Sequence, residues 1–126
     1  MKPNISMTNG VAKSGEFKYE RKSRIVKAYD TEYTIPTKTV AFAKKIEDAI
    51  QKISKCTTTS ATTRAMLDAI SLFIGDDEIE KNFPADKFNE IDVDEVLAFW
   101  RELYYEYNKN QQDIIAKYSP ATTVRR

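Results

Sequence analysis

Between Asp92 and Tyr118, apolar residues return at helical spacing for longer than the core of so short a chain requires. Val96, Trp100, Leu103, Tyr107, Ile114 and Tyr118 fall on one side of a 3.6-residue repeat, widened by Leu97, Tyr104 and Ile115 and interrupted by Gln111. Asp92 and Glu95 have the spacing of a capping box in which Asp replaces Ser or Thr. Asp94 and Glu95 add negative charge where a helix N-terminus favours it. Pro120 disfavours helix in the residue before it, so the helix is expected to close near Tyr118-Ser119. At about 1.5 Å per residue it would be on the order of 35–40 Å long. A domain of 126 residues needs less. The second half is therefore expected to project, or to pack on another chain.

The rest of the chain reads as a small α+β arrangement, mainly α, in which a leading hairpin precedes a helical bundle. From Glu16 to Ile35 the sequence is rich in β-formers, with Phe17 and Tyr19 alternating with charged residues. A two- or three-stranded sheet is expected there, with Asp30-Thr31 as its turn. Pro36 ends it. A first helix is expected over 37–55, built on Val40, Ala43, Ile46, Ala49, Ile50 and Ile53. A second is expected over 61–74, built on Met66, Leu67, Ile70, Phe73 and Ile74 and stopped by Gly75. Asp76, Asp77 and Glu78 then open a short third helix that ends near Phe83-Pro84. In this division residues 1–28 form a polar, partly mobile N-terminal segment with room for a strand. Residues 29–120 form the helical domain with its leading hairpin, and 121–126 a flexible basic tail.

Little in the chain suggests chemistry. It holds no histidine, which removes the commonest general base and metal ligand. Cys56 is its one cysteine, so no intrachain disulfide and no Cys–His nucleophile is expected. Its three glycines, at 10, 15 and 75, form no phosphate-cradling loop. The run Glu90-x-Asp92-x-Asp94 shares the opening spacing of an EF-hand loop, but Glu95 stands where that loop requires glycine. Asp76, Asp77 and Glu80 are a weaker metal candidate, read here as helix-start charge. The expectation is no catalytic residue, no metal, no cofactor and no enzymatic activity. Apolar runs of only a few residues exclude a membrane span, and no signal-peptide stretch opens the chain. A cytoplasmic location is expected.

Two sets of residues stand out as candidate surfaces. The net charge of +1 hides an asymmetry: residues 1–55 carry 12 Lys+Arg against 6 Asp+Glu, and residues 56–118 carry 6 against 13. Within the basic half, Lys18, Arg21, Lys22, Arg24 and Lys27 form a strip interleaved with Phe17, Tyr19 and Tyr29. Such a strip suits a phosphate backbone with stacked bases. The sequence pI of about 7.7 argues instead for a solvated face or an acidic protein partner, so nucleic acid is not the expected ligand. The second set is aromatic. Phe99, Trp100, Tyr104, Tyr105 and Tyr107 go nearly all the way round the last helix. One core uses one face, and Tyr or Trp on a second face is what protein interfaces favour. Phe99, Tyr104, Tyr105 and the neighbouring Glu106 are therefore the candidate partner-binding residues.

Several strings in the chain also resemble a known family. Tyr29-Asp30-Thr31-Glu32-Tyr33-Thr34-Ile35-Pro36 reads like the hairpin-then-helix opening of small phage proteins. Phe73-Ile74-Gly75-Asp76-Asp77, Asp92 through Trp100, Tyr107 through Gln112, and Lys117-Tyr118-Ser119-Pro120 resemble the C-terminal half of tail assembly chaperones from siphophages and prophages of Gram-positive bacteria. The resemblance spans about residues 29–120 and departs from shorter members in residues 1–28. It implies a protein that binds the helical tape-measure protein and keeps it soluble while the tail tube polymerises around it. It also implies self-association into a homo-oligomer, a frameshift-extended form that recruits tail tube protein, action inside the bacterial host, and absence from the finished virion. The alternatives are a small nucleic-acid-binding or regulatory protein using the basic strip, and a minor virion structural protein such as a connector or tail subunit.

Overall fold

A computed structural model describes residues 17–118. The expectations for residues 1–16 and for the tail 121–126 lie outside them. The order of elements is β1 (Ile25–Ala28), β2 (Thr31–Thr34), α1 (Val40–Lys55), α2 (Thr59–Ile74), α3 (Asp76–Asn82), a 3₁₀ turn (Ala85–Glu90) and α4 (Val93–Tyr118). The α+β class holds, with a long last helix.

β1 and β2 form a two-stranded antiparallel hairpin with Val26 opposite Tyr33 and Ala28 opposite Thr31. Ile35 N–H donates to the Arg24 carbonyl at 2.8 Å and lengthens the ladder by one rung. The turn is Tyr29-Asp30, one residue earlier than Asp30-Thr31. Both residues have positive φ, 53° and 58°. Two left-handed residues between paired strands are the signature of a type I′ turn, whose twist matches that of the strands. Because β1 pairs with β2, the division drawn after residue 28 runs through the hairpin. No third strand forms among the described residues; residues 17–23 belong to no helix or strand.

Side-chain caps set the helix starts. Thr39 Oγ1 accepts from Phe42 N–H at 3.1 Å, so α1 begins at Val40 and not at 37. Thr58 Oγ1 accepts from Ala61 N–H at 3.2 Å and brings the start of α2 forward to Thr59. Gly75 closes α2 at φ 93°, a conformation that disfavours side chains bearing Cβ. Asp92 caps α4: its Oδ1 accepts from Asp94 N–H at 2.9 Å and Glu95 N–H at 3.3 Å. The reciprocal half of a capping box is absent. The Glu95 carboxylate accepts instead from the Tyr29 hydroxyl at 2.6 Å.

One core joins these elements. α2 supplies Met66, Leu67, Ala69, Ile70 and Phe73, and α4 supplies Val96, Phe99, Trp100, Leu103 and Tyr107. Ile46 of α1, Phe83, and Val26, Tyr33 and Ile35 of the hairpin region complete it. Burying a side chain of this size is worth about 1.5–3 kcal/mol, so the α2–α4 seam is the main source of cohesion. Aromatic rings meet edge-on along it. Phe73 lies 5.6 Å from Tyr107 at 76°, and Phe42 lies 5.7 Å from Phe73 at 78°.

Candidate functional site

The apolar stripe of α4 is a core stripe only as far as Tyr107. Beyond it all eight residues from Gln111 to Tyr118 are exposed, with Ile114 at 39%, Ile115 at 52% and Tyr118 at 55%. Leu97, at 41%, also lies outside the core. Among the described residues no helix or strand packs over these last two turns. At about 1.5 Å per residue, they add on the order of 12 Å of helix.

The expected aromatic surface is rearranged. Phe99 is 7% exposed, because the hairpin covers the face of α4 that the sequence assigned to a partner. The rings of Tyr29 and Tyr33 sit 5.3 Å and 6.2 Å from it. Tyr104 is half-buried and stacked between Trp100 at 5.4 Å and Tyr107 at 6.1 Å. Of the four residues named, only Tyr105 faces outward, at 50% exposure, with Lys109 Nζ 5.0 Å above its ring. Glu106 pairs with Lys109 at 3.7 Å.

The basic strip also divides. Arg24 turns onto α4, where its Nη2 donates to Asp113 Oδ2 at 2.8 Å and Asn110 Oδ1 at 3.1 Å. Its buried Nε has no hydrogen-bond partner among the described residues. Arg21 donates to the Pro36 carbonyl at 3.0 Å and to Thr37 Oγ1 at 3.3 Å. Asn110 Nδ2 in turn donates to the Lys22 carbonyl at 3.1 Å. The two arginines thus fasten residues 21–24 alongside α4 and the approach to α1. Lys18 and Lys22 remain exposed.

This fastening creates a groove of about 540 Å³ between the extended segment and the free end of α4. Lys18, Tyr19 and Lys22 line one side; Ile114, Lys117 and Tyr118 line the other. The sequence pattern missed it because residues 17–24 lie against α4 without belonging to helix or strand. A smaller groove of about 270 Å³ adjoins it beside Lys38. Lys38 Nζ donates to Asn108 Oδ1 and Gln111 Oε1, each at 2.8 Å, and sits 4.4 Å over the Tyr107 ring. Burial lowers the pKa of Lys38 from its ordinary value.

The other perturbed groups are phenols. Burial raises the pKa values of Tyr29, Tyr33 and Tyr107; hydrogen bonds to Glu95 and Glu78 add to the effect at Tyr29 and Tyr33. Tyr33 donates to Glu78 Oε1 at 2.7 Å. These contacts hold the hairpin to α3 and α4 and offer no open reacting centre. Among the described residues, no group of three Cys, Asp or Glu side chains is placed to hold a metal ion, and no helix is long and apolar enough to cross a membrane. Comparison with protein-family models, with curated proteins and with solved structures finds no match to this chain.

Proposed function

We propose that this protein works by binding another protein and not by catalysis, as an assembly chaperone of the phage-tail kind. In this reading it holds the tape-measure protein soluble in the cytoplasm of the bacterial host while tail tube subunits polymerise. The observation that carries the proposal is the exposed end of α4, where Ile114, Ile115 and Tyr118 remain open to solvent on a helix anchored in the core. Exposed apolar residues grouped on one element mark interaction sites more often than scattered ones do. Tyr105 lies on the same helix, two turns or so earlier. The inward use of Arg21 and Arg24 weakens the nucleic-acid alternative by removing two cations from the strip. The reading includes self-association, for which an exposed helix end is also suited.

Co-expression with the tape-measure protein of the same genome tests the proposal. That protein should be soluble with this chain and aggregate without it, and Ile114→Asp together with Ile115→Asp should abolish the rescue. Equal insolubility in both cases sinks the reading. Light scattering across protein and salt concentrations tests the oligomer: a monomer under all conditions removes self-association.

A further inference from the structure

The groove between residues 18–22 and the end of α4 has a mixed lining, in which a small apolar patch lies among charged side chains. Ile114 and Tyr118 stand one turn apart on α4, and Tyr19 faces them from the extended segment. Lysines flank this patch on both sides, Lys18 and Lys22 on the segment and Lys117 on the helix, where its Nζ sits 5.2 Å from the Tyr118 ring. None of the three is within ion-pair distance of a carboxylate among the described residues. Two carboxylates also line the groove. Asp113 is already bound to Arg24 at 2.8 Å, which leaves Glu20 alone against three lysines.

We infer that this groove receives an acidic amphipathic helix of a partner protein, with apolar residues on Ile114, Tyr118 and Tyr19 and carboxylates toward Lys18, Lys22 and Lys117. The inference rests on the protein-binding reading above and adds the chemistry of the partner. An apolar stripe flanked by charge on both sides is what an amphipathic helix presents. A patch flanked by cations on both sides selects acidic flanks, because like charges across an interface repel. A polyanion without an apolar face would satisfy the lysines and leave Ile114 and Tyr118 exposed.

The test uses the full chain and a labelled helical peptide of about 15 residues, built from Leu, Tyr and Glu with Glu on both flanks. Two analogues carry Gln or Lys in place of Glu, and a single-stranded oligonucleotide serves as a polyanion without an apolar stripe. Fluorescence anisotropy should show the Glu peptide binding at least about tenfold tighter than the Gln analogue, and weakening as salt rises to about 0.5 M. The exposed substitutions Lys18→Glu, Lys22→Glu and Lys117→Glu together should reverse the preference toward the Lys analogue. Ile114→Ser should weaken the Glu peptide with the charges intact, and far-UV circular dichroism confirms that each variant is folded. Equal binding of the Glu and Gln peptides, or tighter binding of the oligonucleotide, overturns the inference. If tape-measure rescue survives the triple reversal, the acidic-partner inference fails while the chaperone reading stands. If the Glu peptide binds as expected and rescue fails in the wild-type chain, the inference stands without that reading.

Discussion

The Tyr29 hydroxyl and the Glu95 carboxylate meet at 2.6 Å across 66 positions of sequence. Tyr29 is in the left-handed region at φ 53°, an unusual place for a bulky residue. Its ring packs edge-on against Phe83 at 5.6 Å and Phe99 at 5.3 Å. The side-chain contacts thus offset a strained backbone and tie the hairpin turn to the first turns of α4. Tyr29→Ala should cost about 2–4 kcal/mol, somewhat below the range for a fully buried aromatic because Tyr29 is half-buried, read as a shift in the urea midpoint. Tyr29→Phe keeps the rings and loses one exposed hydrogen bond, so its cost should be about 1 kcal/mol. Equal costs for the two would show that the ring packing contributes nothing.

Alkaline conditions should loosen the hairpin first. Tyr29, Tyr33 and Tyr107 hold their protons more tightly folded than unfolded. Their contribution is therefore full below the free phenol value of about 10, and it is lost as pH rises above that value. Lys38 has the opposite sign: burial lowers its pKa, so the strain of its buried charge is relieved as pH rises through the folded value. Denaturant midpoints between about pH 8 and 11 should fall on balance, and fall less steeply in Tyr29→Phe. An unchanged slope in that variant would contradict the assignment.

Gly75→Ala isolates a backbone effect. A Cβ at this position meets nothing within 4 Å, so crowding contributes nothing. The φ of 93° is costly for any residue with a side chain, and a loss of about 1–3 kcal/mol is expected. Thermal unfolding measures it. A neutral result would mean that α2 and α3 reorient freely about this joint.

Arg24 and Asn110 should govern the order of residues 18–24. Arg24→Ala removes the 2.8 Å contact with Asp113, and Asn110→Ala removes the bond to the Lys22 carbonyl. Asp113 is exposed, so the stability cost of breaking the pair should be only about 1 kcal/mol or less. Tryptic cleavage after Lys18 and Lys22 should nevertheless speed up, because these side-chain contacts hold a segment whose own backbone N–H groups are hydrogen-bonded to nothing among the described residues. Unchanged cleavage rates there would show that the segment is held by something else.

What was readable in the sequence followed periodicity and caps. The α2 stripe and the first half of the α4 stripe are core, because one buried face imposes a 3.6-residue repeat directly on composition. Phe99 was misread as a surface residue because its cover comes from Tyr29 and Tyr33, about 66–70 positions earlier, which no local pattern signals. Ile114 and Tyr118 repeat like core residues but no helix or strand among the described residues covers them, and periodicity alone does not distinguish a buried stripe from an open one. The 3₁₀ turn at Ala85–Glu90 leaves no periodic signature in the sequence, since so short a helix shows no repeat. The groove depended on an extended segment whose position is set by two arginines, a tertiary fact with no sequence signature.

The continuity of α4 has a mechanical consequence. Its hydrogen-bonded backbone runs without a break from Val93, clamped at the hairpin and α2, to the solvated turns ending at Tyr118. Among the described residues the helix is therefore a cantilever, rooted in the core and propped at Asn110 and Asp113 by the 21–24 segment. A load applied at Ile114 or Tyr118 acts as a bending moment at Leu103 and Tyr107, where the core grips the rod. The stacked rings of Trp100, Tyr104 and Tyr107 are the bearing against which that moment is resisted.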